Sequence, residues 1–144
     1  MFTRPPERVY VALGSNLGDR TAHLARARAR LAGLPDTRVA AVSTIEETAP
    51  LGPVPQGPYL NQMVLLETTL EPDALLEHCR LIEGESGRVR EQRWGPRTLD
   101  LDIVRFGGRT VTTPTLVVPH PELPNRDFWA RELAELDALA AAHD

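Results

Sequence analysis

Apolar residues alternate along RVYVAL, from Arg8 to Leu13, as on a strand, and then switch to helical spacing at Leu24, Ala27 and Leu31. GSNLGDR supplies the turn between them, Asp19 or Thr21 offers a helix cap, and Gly33 with Pro35 ends the helix. Arg38–Thr48 is β-branched and alternating, and Leu60–Thr69 is a further extended run. Between these two strands LGPVPQGPY is dense in proline and glycine, which marks a long ordered loop. Pro72 suits a first helical position, and Leu75, Leu76, Cys79 and Ile82 form one face of a helix that stops near Gly87. TLDLDIVRF reads as another strand. Gly107-Gly108 then separates it from RTVTT as in a tight hairpin with both centres at positive φ, which sets the LDLDI strand as one hairpin arm. A last amphipathic segment, Asp127–Ala142, places Phe128, Leu133, Leu136 and Leu139 roughly on one side.

The order β α β β α β predicts an α+β fold of ferredoxin-like type. Its antiparallel sheet has helices packed on one face, and a hairpin strand and a C-terminal helix are added, all within a single domain over residues 1–144. RARAR in the first helix reads as a solvated face, and His23, His78 and His143 as surface residues.

Composition narrows the chemistry. At 144 residues and 42% hydrophobic, the chain is long enough for a real core, and no stretch has the apolar length a bilayer demands. MFTRPPER lacks a secretory pattern and the single Cys79 has no partner for an internal disulfide, so a cytoplasmic location is expected. Cys79 lies on an apolar helical stripe and is expected to be a buried structural thiol. All 16 residues counted as Lys+Arg are arginine, which excludes a phosphate loop built on GKS or GKT. A formal charge of −4 argues against affinity drawn from a nucleic-acid backbone.

Against that mild acidity, RWGPRTLDLDI (Arg93–Ile103) follows a loop carrying Arg88, Arg90, Arg93 and Arg97, opposed there only by Glu91. On a strand, Leu99, Leu101 and Ile103 face one side while Asp100 and Asp102 share the other, with α-carbons roughly 7 Å apart. Aspartate is a poor strand former, and two on one face repel. A hard cation that prefers oxygen ligands offsets the repulsion, and arginine forks beside it grip phosphate; Arg88 and Arg97 are the candidates. That pattern points to a two-metal phosphoryl site.

ALGSNLGDR, TAPLGP followed by YLNQ, GRVR, RWGPRTLDLDI and VPHP occur in the order and at about the spacing of the 6-hydroxymethyl-7,8-dihydropterin pyrophosphokinase family, which the chain resembles nearly end to end. The resemblance implies a ferredoxin-like fold and transfer of a pyrophosphoryl group from ATP to the hydroxymethyl pterin in folate biosynthesis, releasing AMP, with two Mg2+ ions. By the same resemblance Asp100 and Asp102 are the metal ligands. Arg88 and Arg97 contact the phosphates and count with the two acids as catalytic, and Trp94 helps close the loop over both substrates. Thr48, Ala49 and Leu51 read the pterin edge through their backbone, Tyr59 and Phe128 stack on the ring with Trp94 nearby, and Asn61 contacts it through its side chain. Glu83, Arg90, Ile103, His120 and Arg126 join Arg88, Trp94 and Arg97 on the ATP side. Ala49 stands where the family often has proline. The expected partners are ATP and the pterin, with no nucleic acid or membrane, and the chain is expected to be a monomer.

Two other readings compete. A metal-dependent nucleotide phosphohydrolase would use the same two acids to direct water. A non-enzymatic RNA-binding module on the same sheet would need exposed stacking aromatics and a basic surface. With 5% aromatic residues and its basic cluster beside two acids, the chain supplies neither clearly.

Overall fold

The computed structural model describes residues 4–50, 52–87 and 98–143. Its elements are β1 (Glu7–Ser15), α1 (Arg20–Ala32), β2 (Thr37–Val42), β3 (Glu46–Thr48), β4 (Tyr59–Thr68), α2 (Pro72–Glu85), β5 (Asp100–Phe106), β6 (Val111–Thr112), β7 (Val117–Val118) and α3 (Asp127–His143). The main sheet runs β2-β4-β1-β5, with β3 also on β4, and each of its pairings is antiparallel.

The two faces of this sheet bury different helices. Val9, Val11, Leu13, Val64, Leu66, Leu101 and Ile103 pack with Leu24, Ala27 and Leu31 of α1 and Leu75, Cys79 and Ile82 of α2. Ala12, Met63, Leu65 and Val104, pointing the opposite way, pack with Trp129, Leu133 and Leu136 of α3. The first two helices thus share one face as expected, and the C-terminal helix covers the other. Cys79 is fully buried, and burial pushes its thiol up to about 12, which leaves it an inert core group. Asp19 caps α1 by accepting from the Ala22 N–H, and Pro72 is the first residue of α2.

Several local expectations are corrected. Arg38–Thr48 is two strands: β2 bulges between Val39 and Ala41, and the ladder breaks at Ser43. There the Ser43 Oγ accepts from Met63 N at 2.8 Å while Ser43 N donates to Met63 O at 2.9 Å, so a hydroxyl replaces one backbone partner. The β5 strand is not a hairpin arm with β6. β6 pairs with β7 instead, so the added hairpin forms a separate ribbon. The outer edge of β5 is already engaged, since Val104 O accepts from His120 N and Leu101 N donates to Glu83. Of the two glycines only Gly107 takes positive φ, and a Cβ there would stand 2.6 Å from Glu7 Oε2. His23 and His78 are half-buried rather than surface residues. On α3 the buried stripe is Trp129, Glu132, Leu133 and Leu136, one step round from the expected face, and Leu139 is exposed.

Candidate active site

Antiparallel register brings the polar candidates into rows on the α3 face of the sheet. Glu46 is in register with Asn61, Asn61 with Gly14, and Gly14 with Asp100. One step along, Met63 pairs with Ala12 and Ala12 with Asp102. Residues paired across neighbouring strands point to the same side, so both aspartates stand on the face that carries Asn61, and Tyr59 with its partner Thr48 extends it. The alternation read from LDLDI is therefore the observed one, with Leu99, Leu101 and Ile103 in the core behind.

Gly14 gives this face its shape. A Cβ at that position would come within 3.4 Å of Asn61 Oδ1 and of Tyr59 Cδ2, so the bare backbone lets the amide and the ring close in over β1. Asn61 is buried, and its Nδ2 donates to Thr48 Oγ1 at 2.5 Å, which fixes the amide with Oδ1 toward Gly14. A row of a hydroxyl, an amide and an aromatic ring suits a flat heterocycle with donors and acceptors along its edge.

Asp102 is flanked by two basic side chains. His120 Nε2 lies 3.6 Å from Oδ1 and Arg126 Nη1 lies 3.9 Å from Oδ2. Burial acts to raise the Asp102 carboxyl, but His120, Arg126 and Arg80 outweigh it and hold it below the usual carboxylate range. It is thus ionised at neutral pH, as a metal ligand must be. His120 Nδ1 accepts from the Glu122 N–H at 3.0 Å, which leaves Nε2 as the ring N–H facing Asp102. Trp129 holds both basic groups from below, meeting the His120 ring edge-on at 4.9 Å and lying 4.5 Å under the Arg126 guanidinium. Phe128 is half-buried beside it in a tilted contact at 6.3 Å.

The remaining candidates divide. Ile103 is buried in the α1/α2 core, so only its backbone is available to a ligand. Glu83 is 3% exposed, and it accepts from Leu101 N at 2.8 Å and from Arg80. Ala49 is exposed beside Thr48. Leu51, Arg88, Arg90, Trp94 and Arg97 lie outside the described residues.

Sequence reasoning missed Trp129, Arg80 and the role of Gly14. The Arg80/Glu83 spacing of three on a helix was a readable sign of a pair, and Trp129 was masked by the neighbouring Phe128. Among the described residues, no group of three or more His, Cys, Asp or Glu is placed to hold a metal by protein ligands alone. The paired carboxylates of Asp100 and Asp102 are oxygen donors of the kind that could hold Mg2+, which keeps waters and substrate phosphates in its shell.

The chain is 47% identical over 127 residues to 2-amino-4-hydroxy-6-hydroxymethyldihydropteridine pyrophosphokinase of Bacillus subtilis, covering 88% of this chain and 76% of that one. It is 46% identical over 130 residues to the Pseudomonas aeruginosa protein of the same name, covering 90% and 80%. To that of Methylorubrum extorquens it is 45% identical over 129 residues, covering 90% and 82%. The family model described as 7,8-dihydro-6-hydroxymethylpterin-pyrophosphokinase matches residues 10–138, and the chain belongs to that family.

Proposed function

We propose that the pyrophosphokinase reaction of this family runs on the α3 face of the sheet, with the polyphosphate over Asp100 and Asp102 and the pterin over Asn61 and Tyr59. The chain is an ATP-dependent diphosphotransferase that passes a diphosphoryl group to 6-hydroxymethyl-7,8-dihydropterin. The observation that carries the placement is the register Asp100–Gly14–Asn61, which sets acids and amide on one face across a residue with no side chain.

In this reaction the pterin hydroxyl oxygen bonds to the β-phosphorus of ATP, the bond from that phosphorus to the α-phosphate oxygen breaks, AMP leaves, and the hydroxyl proton is lost. Magnesium held by Asp100 and Asp102 would supply charge neutralisation on the polyphosphate, and two ions fit the paired carboxylates. The protein's own residues position the partners, and positioning accounts for much of the rate in phosphoryl transfer. Asn61 hydrogen-bonds the pterin edge through its side chain, Thr48, Ala49 and Leu51 contribute backbone groups, and Tyr59 and Phe128 hold its faces. His120 and Arg126 turn from Asp102 to the phosphates. On the sequence alone, Arg88, Arg90 and Arg97 bind phosphate and Trp94 contacts both substrates.

No helix among the described residues is long and apolar enough to cross a membrane, and we place the reaction in the cytoplasm, with the chain acting as a monomer on small molecules. The test is product analysis with ATP, Mg2+ and the hydroxymethyl pterin. AMP and pterin diphosphate forming one-for-one support the reading; ADP, or AMP formed without pterin, favours the hydrolase.

A further inference from the structure

Among the described residues, the strand bearing the two acids is an edge strand, with β1 as its one strand neighbour. Between Asp100 and Asp102 lies Leu101, whose N–H and C=O both turn away from β1. Unpaired, these groups would leave the peptides on either side of the metal-facing side chains free to rock. They are instead clasped from α2. Glu83 Oε2 accepts from Leu101 N at 2.8 Å, Arg80 Nη1 donates to Leu101 O at 3.2 Å, and the same Arg80 nitrogen donates to Glu83 Oε1 and Oε2 at 3.0 and 2.9 Å. Glu83 is buried, whereas Arg80 reaches it with a side chain 41% exposed. A charged side chain almost never occupies such a position unless it is fully employed. Here a carboxylate and a guanidinium stand in for the missing neighbouring strand over a single residue, the one that spaces the two acids.

We propose that Glu83 and Arg80 are positioning residues that fix Asp100 and Asp102 in metal-binding geometry by pinning the Leu101 peptides, rather than by touching the nucleotide. The clasp rests on the reading of Asp100 and Asp102 as metal ligands, and it gives the buried Glu83 carboxylate a task beyond its pairing with the exposed Arg80. Supports behind metal ligands commonly change affinity ten- to a hundredfold when removed, although here the support acts through the backbone.

The test is Mn2+ titration by electron paramagnetic resonance in the presence of a non-hydrolysable ATP analogue, alongside amide exchange at Leu101 and a thermal melt. Glu83→Ala is expected to speed Leu101 exchange and weaken Mn2+ binding about tenfold or more. Glu83→Gln, whose side-chain carbonyl still accepts from Leu101 N, is expected to recover most of the affinity. A folded Glu83→Ala protein with faster Leu101 exchange and wild-type Mn2+ affinity overturns the clasp. If Glu83→Ala does not fold, Arg80→Gln serves instead: loss of the bond to Leu101 O is expected to weaken Mn2+ binding about threefold, and an unchanged affinity overturns the proposal. Asp100→Ala is the control that separates the two levels. Wild-type Mn2+ binding by that variant removes the metal reading itself, whereas weak binding by Asp100→Ala beside normal binding by Glu83→Ala removes only the clasp.

Discussion

Asp100 and Asn61 stand in register on strands either side of β1, and the residue between them is Gly14. The glycine keeps a lane open on the sheet between an acid and an amide. Gly14→Val is expected to fill it: its Cβ begins 3.4 Å from both Asn61 and Tyr59, and its methyl groups extend further. The KM for the pterin should rise about tenfold or more with a smaller change for ATP, because overpacking of about 1–3 kcal/mol falls on one substrate's side. Steady-state kinetics with each substrate varied in turn checks this, and equal rises for both would place the pterin elsewhere.

Ser43 joins the two parts of the edge strand through Met63. Ser43→Ala leaves the buried Met63 N–H without its hydroxyl acceptor and is expected to cost about 1–3 kcal/mol of stability. Urea denaturation measures it, and an unchanged midpoint would show that the break needs no such bond.

Glu132 is buried on α3, and neither carboxylate oxygen has a hydrogen-bond partner among the described residues. Burial chiefly pushes its carboxyl up from 4.5 to about 8; Glu46 and Glu135 add to the rise and Arg131 opposes it. Below 4.5 folded and unfolded chains both hold the proton. Between 4.5 and about 8 only the unfolded chain releases it, so stability falls as pH rises through that window and levels off above it. Glu132→Gln cannot ionise, and its unfolding free energy should gain on the wild type as pH rises from about 5 to about 8, by up to about 1.4 kcal/mol per pH unit, which melting curves read as a widening gap in Tm. Parallel melting profiles for the two proteins would contradict the assignment.

Trp129 supports His120 and Arg126 from one ring. Trp129→Leu is expected to lower stability by about 2–4 kcal/mol and to raise the KM for ATP more than that for the pterin, since both groups it carries face Asp102. Calorimetry and initial rates check the two parts, and an unaltered ATP KM in the folded variant would show that the basic pair needs no platform.

Much of this was legible in the residues. The alternation of LDLDI, the run of β1 and the Pro72 start of α2 are local patterns that stand in the structure as they read, and of the two caps offered for α1, Asp19 or Thr21, the structure uses Asp19. What did not show was partnership between distant segments. Ser43 looks like an ordinary polar position in an alternating run, and only its bond to Met63 reveals the break. Gly107-Gly108 looks like a hairpin, yet the edge β6 would join is engaged by His120 and Glu83 from far along the chain. On α3, Phe128 and Trp129 are adjacent, and a shift of one residue changes which ring is buried; the sheet's apolar face settles it in favour of Trp129. The candidate site follows the same rule: the acids were readable from their own strand, but the glycine lane and the α2 clasp exist only once β1, β4 and α2 are placed around it.

The paired acids carry the account, and their removal tests it most directly. In Asp102→Asn the side chain keeps its size and loses its charge, so the circular dichroism and melting temperature should stay close to wild type while the rate of AMP and pterin diphosphate formation falls about a thousandfold, the worth of several kcal/mol of charge stabilisation. A folded Asp102→Asn protein that makes pterin diphosphate at the wild-type rate would contradict it.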